Sequence, residues 1–279
     1  MKQEINIPII KSISEVNYCY QTQGSRPVRI LCDDLEYYVC KYYTGNSGPA
    51  YALFNELFAA SLLKIWEIPA PDYAIITVEK DHILNTGYPY HYFKYPCFGS
   101  KFQSNAKEVD KIFMGMQKSK ISNFNTAYTY LLIALFDMWL SNEDRHNENF
   151  NLLFDIHNSS FIPIDHVCIF NSNSIDKEPY LISTNESILS SPLFSRFFFA
   201  PLKPEQEVLR YKIEEDFKNH LDKCHEKLPH ILTSIPPKWQ VDIPFIQSRL
   251  EHFFSDYWIN KTLKHFFDIF NSNFKKLKL

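Results

Sequence analysis

The sequence predicts an α+β fold, with a small β-rich part over residues 1–98 and a larger, mainly helical part over residues 99–279. Three observations predict it. Runs rich in β-branched and aromatic residues cluster early in the chain, at Val28–Cys32, Tyr37–Tyr43 and Tyr73–Glu79. Beyond residue 101 the apolar residues recur mainly at helical spacing. The composition is 45% hydrophobic and 16% aromatic with six Gly, which excludes a disordered or low-complexity chain.

In chain order, Val28–Cys32 and Tyr37–Tyr43 read as a hairpin joined by Asp33-Asp34-Leu35-Glu36. Thr44–Pro49 is a turn-rich loop. A helix is predicted over 50–65, with Tyr51, Phe54, Phe58, Leu62 and Ile65 on one apolar face. Glu56 falls among Ala52, Ala59 and Leu63 on a second face, where an unpaired carboxylate is costly, so it is expected to have a partner. Ile68-Pro-Ala-Pro71 breaks the helix before the strand at Tyr73–Glu79. Tyr88–Tyr95 reads as a further strand, and Pro96–Ser100 as the connection to the helical part. Phe124–Leu140 is a buried helix. Asn142–Asn149 is a polar loop. Phe150–Phe154 and Ser160–Ile164 are short strands around a turn at Asp155–Asn158, and helices follow near 205–223, 241–256 and 259–273.

Charge and cysteine usage limit the setting. The 29 basic and 32 acidic residues give a net charge of −3, with no global footprint for direct nucleic-acid binding. The basic tail at 275–278 reads as a solvated terminus. The longest apolar stretch, 127–140, is shorter than a membrane span and carries Asp137, so no membrane partner is expected. The six cysteines form no C-x-x-C pair. Cys32, Cys40 and Cys168 lie in apolar runs read as strands, which fits free thiols in a reducing cytosol. The first residues lack the apolar run of a signal peptide, so a cytoplasmic setting is expected.

The polar loop carries the chemistry. Asp144 and Asn149 have the spacing D-x-x-x-x-N, which in phosphoryl transfer puts an aspartate at the acceptor hydroxyl and an asparagine on a metal ion. Asp165 ends an apolar strand, where its carboxylate can bind Mg²⁺ through oxygen. Lys41 lies mid-strand, and Glu56 on the next helix is its natural ion-pair partner. Singly, each has a plainer reading: an edge-strand lysine, an exposed helix glutamate, a turn or cap aspartate. Their chain order, Lys, Glu, Asp-x-x-x-x-Asn, Asp, is what phosphoryl transfer requires. A zinc reading of His146, His157, His166 and Cys168 matches no usual ligand spacing, and a calcium-loop reading lacks the glycine and glutamate it needs.

The stretch Trp139–Leu153, with Asn142-Glu-Asp-Arg-His-Asn-Glu-Asn149 at its centre, resembles the N-x-D-R-H-x-x-N catalytic loop of HipA-like serine/threonine kinases. Asp165-His166 followed by Phe170 is similar to that family's metal-binding D-H/Y-G-x-x-F segment. Asn55-Glu56 with Ile68-Pro-Ala-Pro71 resembles its N-E helix and L-P-x-P turn, and Gly24–Ile30 before Lys41 resembles its phosphate loop. The resemblance spans about residues 20–170 and implies a bilobal protein-kinase-like fold, ATP with Mg²⁺, and transfer to protein serine or threonine. It implies Asp144 as the catalytic residue, Asn149 and Asp165 as metal ligands, and Lys41, Glu56, Gly24 and Ser25 around ATP.

Many members of that family are toxins of toxin–antitoxin pairs or related regulators. Val167 stands where the family has glycine, and the sequence begins without the extra small domain of full-length HipA toxins, so an antitoxin or small separate partner subunit is expected. Arg145 and His146 are structural members of the loop by resemblance, and Arg145 could pair with a carboxylate or a phosphorylated residue. Ser25 and Ser47 are candidate autophosphorylation sites, with the turn-residue reading beside them. Two alternatives stay open: a small-molecule phosphotransferase on the same fold, and a non-catalytic ATP-binding pseudokinase or partner subunit.

Overall fold

The computed structural model describes residues 6–22, 26–45, 48–109, 124–197 and 203–276. The chain divides into two compact units. The first comprises Met1–Leu62, Ala70–Ser104 and Lys227–Pro244, and the second Leu63–Pro69, Asn105–Glu226 and Phe245–Leu279.

The first unit is built on a six-stranded sheet: β1 (Ile9–Lys11), β2 (Tyr18–Cys19), β3 (Val28–Leu31), β4 (Tyr37–Lys41), β5 (Tyr73–Thr77) and β6 (Cys97–Lys101). Its order is β1-β5-β6-β4-β3-β2. β1 and β5 are parallel and the other pairs antiparallel. The sheet curls back on itself, because Ser12 bridges to Cys32 and the Asp33 N–H donates to the Lys11 carbonyl at 2.9 Å. The curl encloses a core of Ile10, Val28, Ile30, Ala74, Ile76 and their neighbours, with Cys32, Cys40 and Cys97 among them. All three cysteines are free, and burial pushes the Cys32 and Cys97 thiols up to about 12. They are inert core residues, as the sequence suggested for Cys32 and Cys40, whereas Cys97 was expected in a connection.

Two expectations fail here. Pro96–Ser100 is no connection: Cys97–Lys101 is an interior strand between β4 and β5. Tyr88–Tyr95 is no strand: Tyr90–Phe93 is a 3₁₀ turn. Its aromatic rings are spent on packing, since Tyr92 stacks on Tyr42 with centroids 5.6 Å apart and Phe93 lies 4.6 Å from the same ring. They close one opening of the core instead of lining a pleated face.

α1 (Tyr51–Ile65) follows β4. Leu53 to Leu63 are all buried, so this helix is enclosed all round and lacks the solvent stripe of a surface helix. Its entry is pinned by the Ala50 N–H donating to the Trp239 carbonyl at 2.8 Å, while the Trp239 indole donates to the Pro96 carbonyl at 2.7 Å. The Pro-Pro-Lys-Trp turn thus closes the first unit from a distant part of the sequence.

The second unit holds α2 (Phe124–Trp139) and a small antiparallel sheet of β7 (Ala106–Glu108), β8 (Leu152–Asp155) and β9 (Ser160–Pro163), in the order β7-β8-β9. The β8–β9 hairpin sits where the sequence placed it. Asp155 accepts the N–H groups of His157 and Asn158, and those donors, Asn158 first, hold its carboxyl below the usual range. α3 (Ile169–Asn173) is a single turn whose Phe170, Asn171 and Ser172 have φ of 59°, 52° and 55°. It is left-handed. Cys168 lies in the turn before it, outside any strand. α4 (Pro192–Phe197), α5 (Lys203–Thr233), α6 (Ile243–Leu250) and α7 (Asp256–Lys276) complete the chain. The core of this unit stacks Trp66 on Trp139 at 5.6 Å and sets Phe136 edge-on to Trp66 at 5.2 Å.

Candidate functional site

In the first unit, the Lys41 ammonium lies 2.5 Å from Glu56 Oε1. β4 pairs with β3 on one side and β6 on the other, so Lys41 is no edge-strand lysine. The pair bridges the last residue of β4 to the second turn of α1. Both side chains are nearly excluded from solvent, at 11% and 4% exposure. A buried ammonium and carboxylate survive together because their mutual attraction offsets the cost of taking each from water. The expected partner of Glu56 is therefore Lys41. Gly24 and Ser25, expected at the phosphates, lie outside the described residues, as does Ser47.

In the second unit, the loop 142–149 is organised around Arg145, which has no exposed surface. Its guanidinium forms an ion pair with Asp137 at the end of α2. It also donates to the Ile164 carbonyl at 2.7 Å, to the Asn151 carbonyl at 3.3 Å, and lies 3.1 Å from His166 Nε2. Asn142 donates to the same Asp137 oxygen at 2.8 Å. Burial pushes the Asp137 carboxyl up from the usual 3.8, against the pull of Arg145 and Asn142. Its second oxygen makes no hydrogen bond among the described residues. Arg145 cannot shed its proton, so the pair is a fixed internal charge that fastens the loop to α2 and β9.

Asp144 and Asn149 sit on the loop so fastened. Asn151, whose φ of 45° turns the chain, donates from its amide to Asp144 Oδ2 at 3.0 Å. The backbones of His146 and Asn149 bond reciprocally at 2.9 and 3.2 Å, which fixes Asn149 at the loop's end. Asp165 stands between the two residues that Arg145 contacts, Ile164 and His166, and its φ of 58° departs from the extended backbone of β9. One guanidinium thus reaches Asn151, whose amide holds Asp144, and the two residues that flank Asp165.

The plain turn or cap reading accounts poorly for a left-handed aspartate flanked by two contacts of a fully buried arginine. Arg145 is taken by a carboxylate and wholly enclosed, which leaves it no access to a phosphorylated residue. His166 faces Arg145, and His146 Nδ1 accepts the Glu148 N–H at 3.2 Å. No cluster of three or more His, Cys, Asp and Glu suited to a metal occurs among the described residues. The donors present, an amide and a carboxylate oxygen, suit Mg²⁺, which takes one or two protein oxygens and keeps water and phosphate oxygens for the rest.

Asp137 and Asn151 join the site from outside the motif. Asp137 carried a usable signal, a lone carboxylate in an apolar helix, the same signal that marked Glu56.

The chain matches the HipA-like kinase family over residues 13–274. Among solved structures it is similar to the Helicobacter pylori proinflammatory kinase CtkA, with a TM-score of 0.50 and 14% identity over 92% of this chain and 99% of that one. More distant likenesses are the open conformation of CtTel1, with a TM-score of 0.33 and 12% identity over 90% and 11% of the two chains, and the FAT and kinase domain of CtTel1, at 0.28 and 13% over 90% and 20%. A search of curated proteins finds no match. The likeness to CtkA shows an α+β kinase fold, and with a family match that runs through nearly the whole sequence, the chain belongs to the HipA-like kinases.

Proposed function

We propose that this chain transfers the γ-phosphoryl group of ATP, with Mg²⁺, to a serine or threonine hydroxyl of a protein. The observation that supports the reading is the buried Arg145 network, which fastens to α2 both the segment whose Asn151 holds Asp144 and the residues on either side of Asp165. Phosphoryl transfer depends on positioning and charge more than on covalent chemistry by the protein. Asn149 and Asp165 would hold Mg²⁺, which neutralises charge on the phosphates. Asp144 orients the acceptor hydroxyl and takes its proton, one of its oxygens being held by Asn151. Lys41, fixed by Glu56, contacts the phosphates. Gly24 and Ser25 are proposed to cradle them through backbone N–H groups.

The acceptor class, and an antitoxin or small subunit as partner, follow from the family resemblance. A reducing, cytoplasmic setting is supported by the six free cysteines. No described helix is long and apolar enough to cross a membrane.

The test is transfer from labelled ATP in Mg²⁺ to the protein itself or to a proteome extract. Asp144→Ala should lose transfer by roughly a thousandfold or more, about 4 kcal/mol of barrier. Equal transfer by the variant overturns the assignment. Label moving only to free sugars or alcohols overturns the protein acceptor.

A further inference from the structure

The proposed chemistry leaves Glu143 unused, although it adjoins Asp144. Both of its carboxylate oxygens accept hydroxyls from the segment after Asp165. Ser172 Oγ donates to Oε1, and the Tyr180 phenol donates to Oε2 at 3.0 Å. Hydrogen bonding to Glu143 also raises the Tyr180 phenol above its ordinary value of 10.

The segment that supplies these hydroxyls is strained. Phe170, Asn171, Ser172 and Asn173 all have positive φ, from 52° to 67°, a region that L-residues other than Asn and Asp seldom adopt. Such a turn persists only where its surroundings over-determine it. Its first half is well held. The Phe170 N–H donates to the Leu140 carbonyl at 2.7 Å and the Asn171 N–H to Ser141 at 3.0 Å. Phe170 packs edge-on to Phe253 at 5.1 Å. The returning segment is held through Tyr180, whose N–H and carbonyl both meet the Asn171 side chain at 3.0 Å, with Ser141 Oγ on the same carbonyl at 2.9 Å. On the solvent side, Glu143 is the acceptor that joins the two halves to the loop bearing Asp144. Tyr180 is 53% exposed there.

We propose that Glu143 is a positioning residue. With Ser172 and Tyr180 it forms a clasp that holds the left-handed segment against the catalytic loop and so fixes the backbone on either side of Asp144. The inner side of the loop is anchored by Arg145 and Asn142, and the clasp anchors the outer side. A carboxylate suits this role because it accepts two hydroxyls at once and strengthens each bond by its charge.

The inference rests on the proposed role of Asp144, and its test separates the two. Amide hydrogen exchange at Phe170, Asn171 and Asp144 is measured for the intact protein and for Glu143→Ala, Glu143→Gln, Ser172→Asp and Tyr180→Phe. Steady-state phosphoryl transfer is measured on the same proteins, with Asp144→Ala as reference. Glu143→Ala and Ser172→Asp, the latter setting two carboxylates against each other, should speed exchange at these amides. Both should lower kcat roughly tenfold with KM for ATP unchanged. Glu143→Gln, which keeps an acceptor oxygen, should recover most of both, and Tyr180→Phe should fall between. Exchange unchanged in Glu143→Ala, or exchange speeded with kcat intact, overturns the clasp. Asp144→Ala retaining transfer overturns the proposed function instead, and the exchange data still decide whether the clasp exists.

Discussion

Among the described residues, two ion pairs are buried from water on both sides. Lys41–Glu56 ties a strand to a helix, and Arg145–Asp137 ties a loop to a helix. The first was legible in the sequence, because Glu56 stands out among alanines and leucines and an order-of-residues argument supplied its partner. The second was not, because Asp137 lies in a helix whose apolar surroundings served only to weigh it against a membrane span, and the partner eight residues on belongs to a loop whose path no periodicity predicts. The exclusion of both Asp137 and Arg145 from water makes a sharp prediction. Arg145→Ala strands a carboxylate whose other oxygen has no hydrogen bond among the described residues, and should lower unfolding free energy by about 3–5 kcal/mol. Asp137→Ala should cost a similar amount. The double variant Asp137→Leu with Arg145→Met removes both charges and fills their space, so it should cost much less than the two single changes summed. Chemical denaturation of the four proteins measures this, and additive losses would refute the reading of the pair as mutual neutralisation.

At the scale of elements, the short strands β1, β2 and β7 carried no run long enough to read, and two longer segments were read as the wrong element. The segment Pro96-Cys-Phe-Gly-Ser carries two residues that punctuate loops, yet Pro96 precedes the strand and needs no ladder donor there. Gly99 serves close approach. A side chain at Gly99 would bring its Cβ to 2.2 Å from Ile76 Cδ1 and 3.4 Å from Tyr38 Cβ, so the glycine lets β5 and β4 side chains meet over β6. Conversely the aromatic run 88–95 reads as β-forming by composition, but its rings are drawn to Tyr42 and the chain takes 3₁₀ turns to deliver them. β-propensity reports fit to a half-buried pleat, and here tertiary packing outweighs it. Gly99→Val therefore overpacks the core under Ile76 and should destabilise the protein by about 1–3 kcal/mol. Gly99→Val combined with Ile76→Ala should regain part of that loss. A Gly99→Val protein as stable as the parent in urea would show that β6 does not need the space.

Across the whole molecule, the site's framework was legible through a short motif, while the last third of the chain was legible only as helices. Its packing depends on ring-to-ring contacts between residues far apart in sequence. Trp139 donates to the Phe253 carbonyl at 2.7 Å, and Trp258 donates back to the Trp139 carbonyl at 2.9 Å, so α7 and the segment before it are fastened to the helix that carries Asp137. Spacing within α5 gives no hint that His220 stacks on Trp66, with centroids 5.3 Å apart and planes at 14°. That stack has a consequence for the stability of the fold as a whole. Burial lowers the His220 pKa from 6.5, Lys223 and Lys212 add to the effect, and Asp216 and Glu67 oppose it. A histidine whose folded pKa is depressed binds fewer protons folded than unfolded below about pH 6.5. Its contribution is whole above the unfolded value and is lost as pH falls through that value toward the folded pKa. His220→Phe keeps a ring on Trp66 and removes the titration. Between about pH 7.5 and about pH 5.5, the urea midpoint of the natural protein should fall further than that of His220→Phe. Other groups titrate alike in both proteins, so the difference between the two falls isolates this one ring. Parallel midpoints would mean that the histidine charges inside the stack without cost, and that Trp139, Phe136 and Phe217 suffice to hold Trp66.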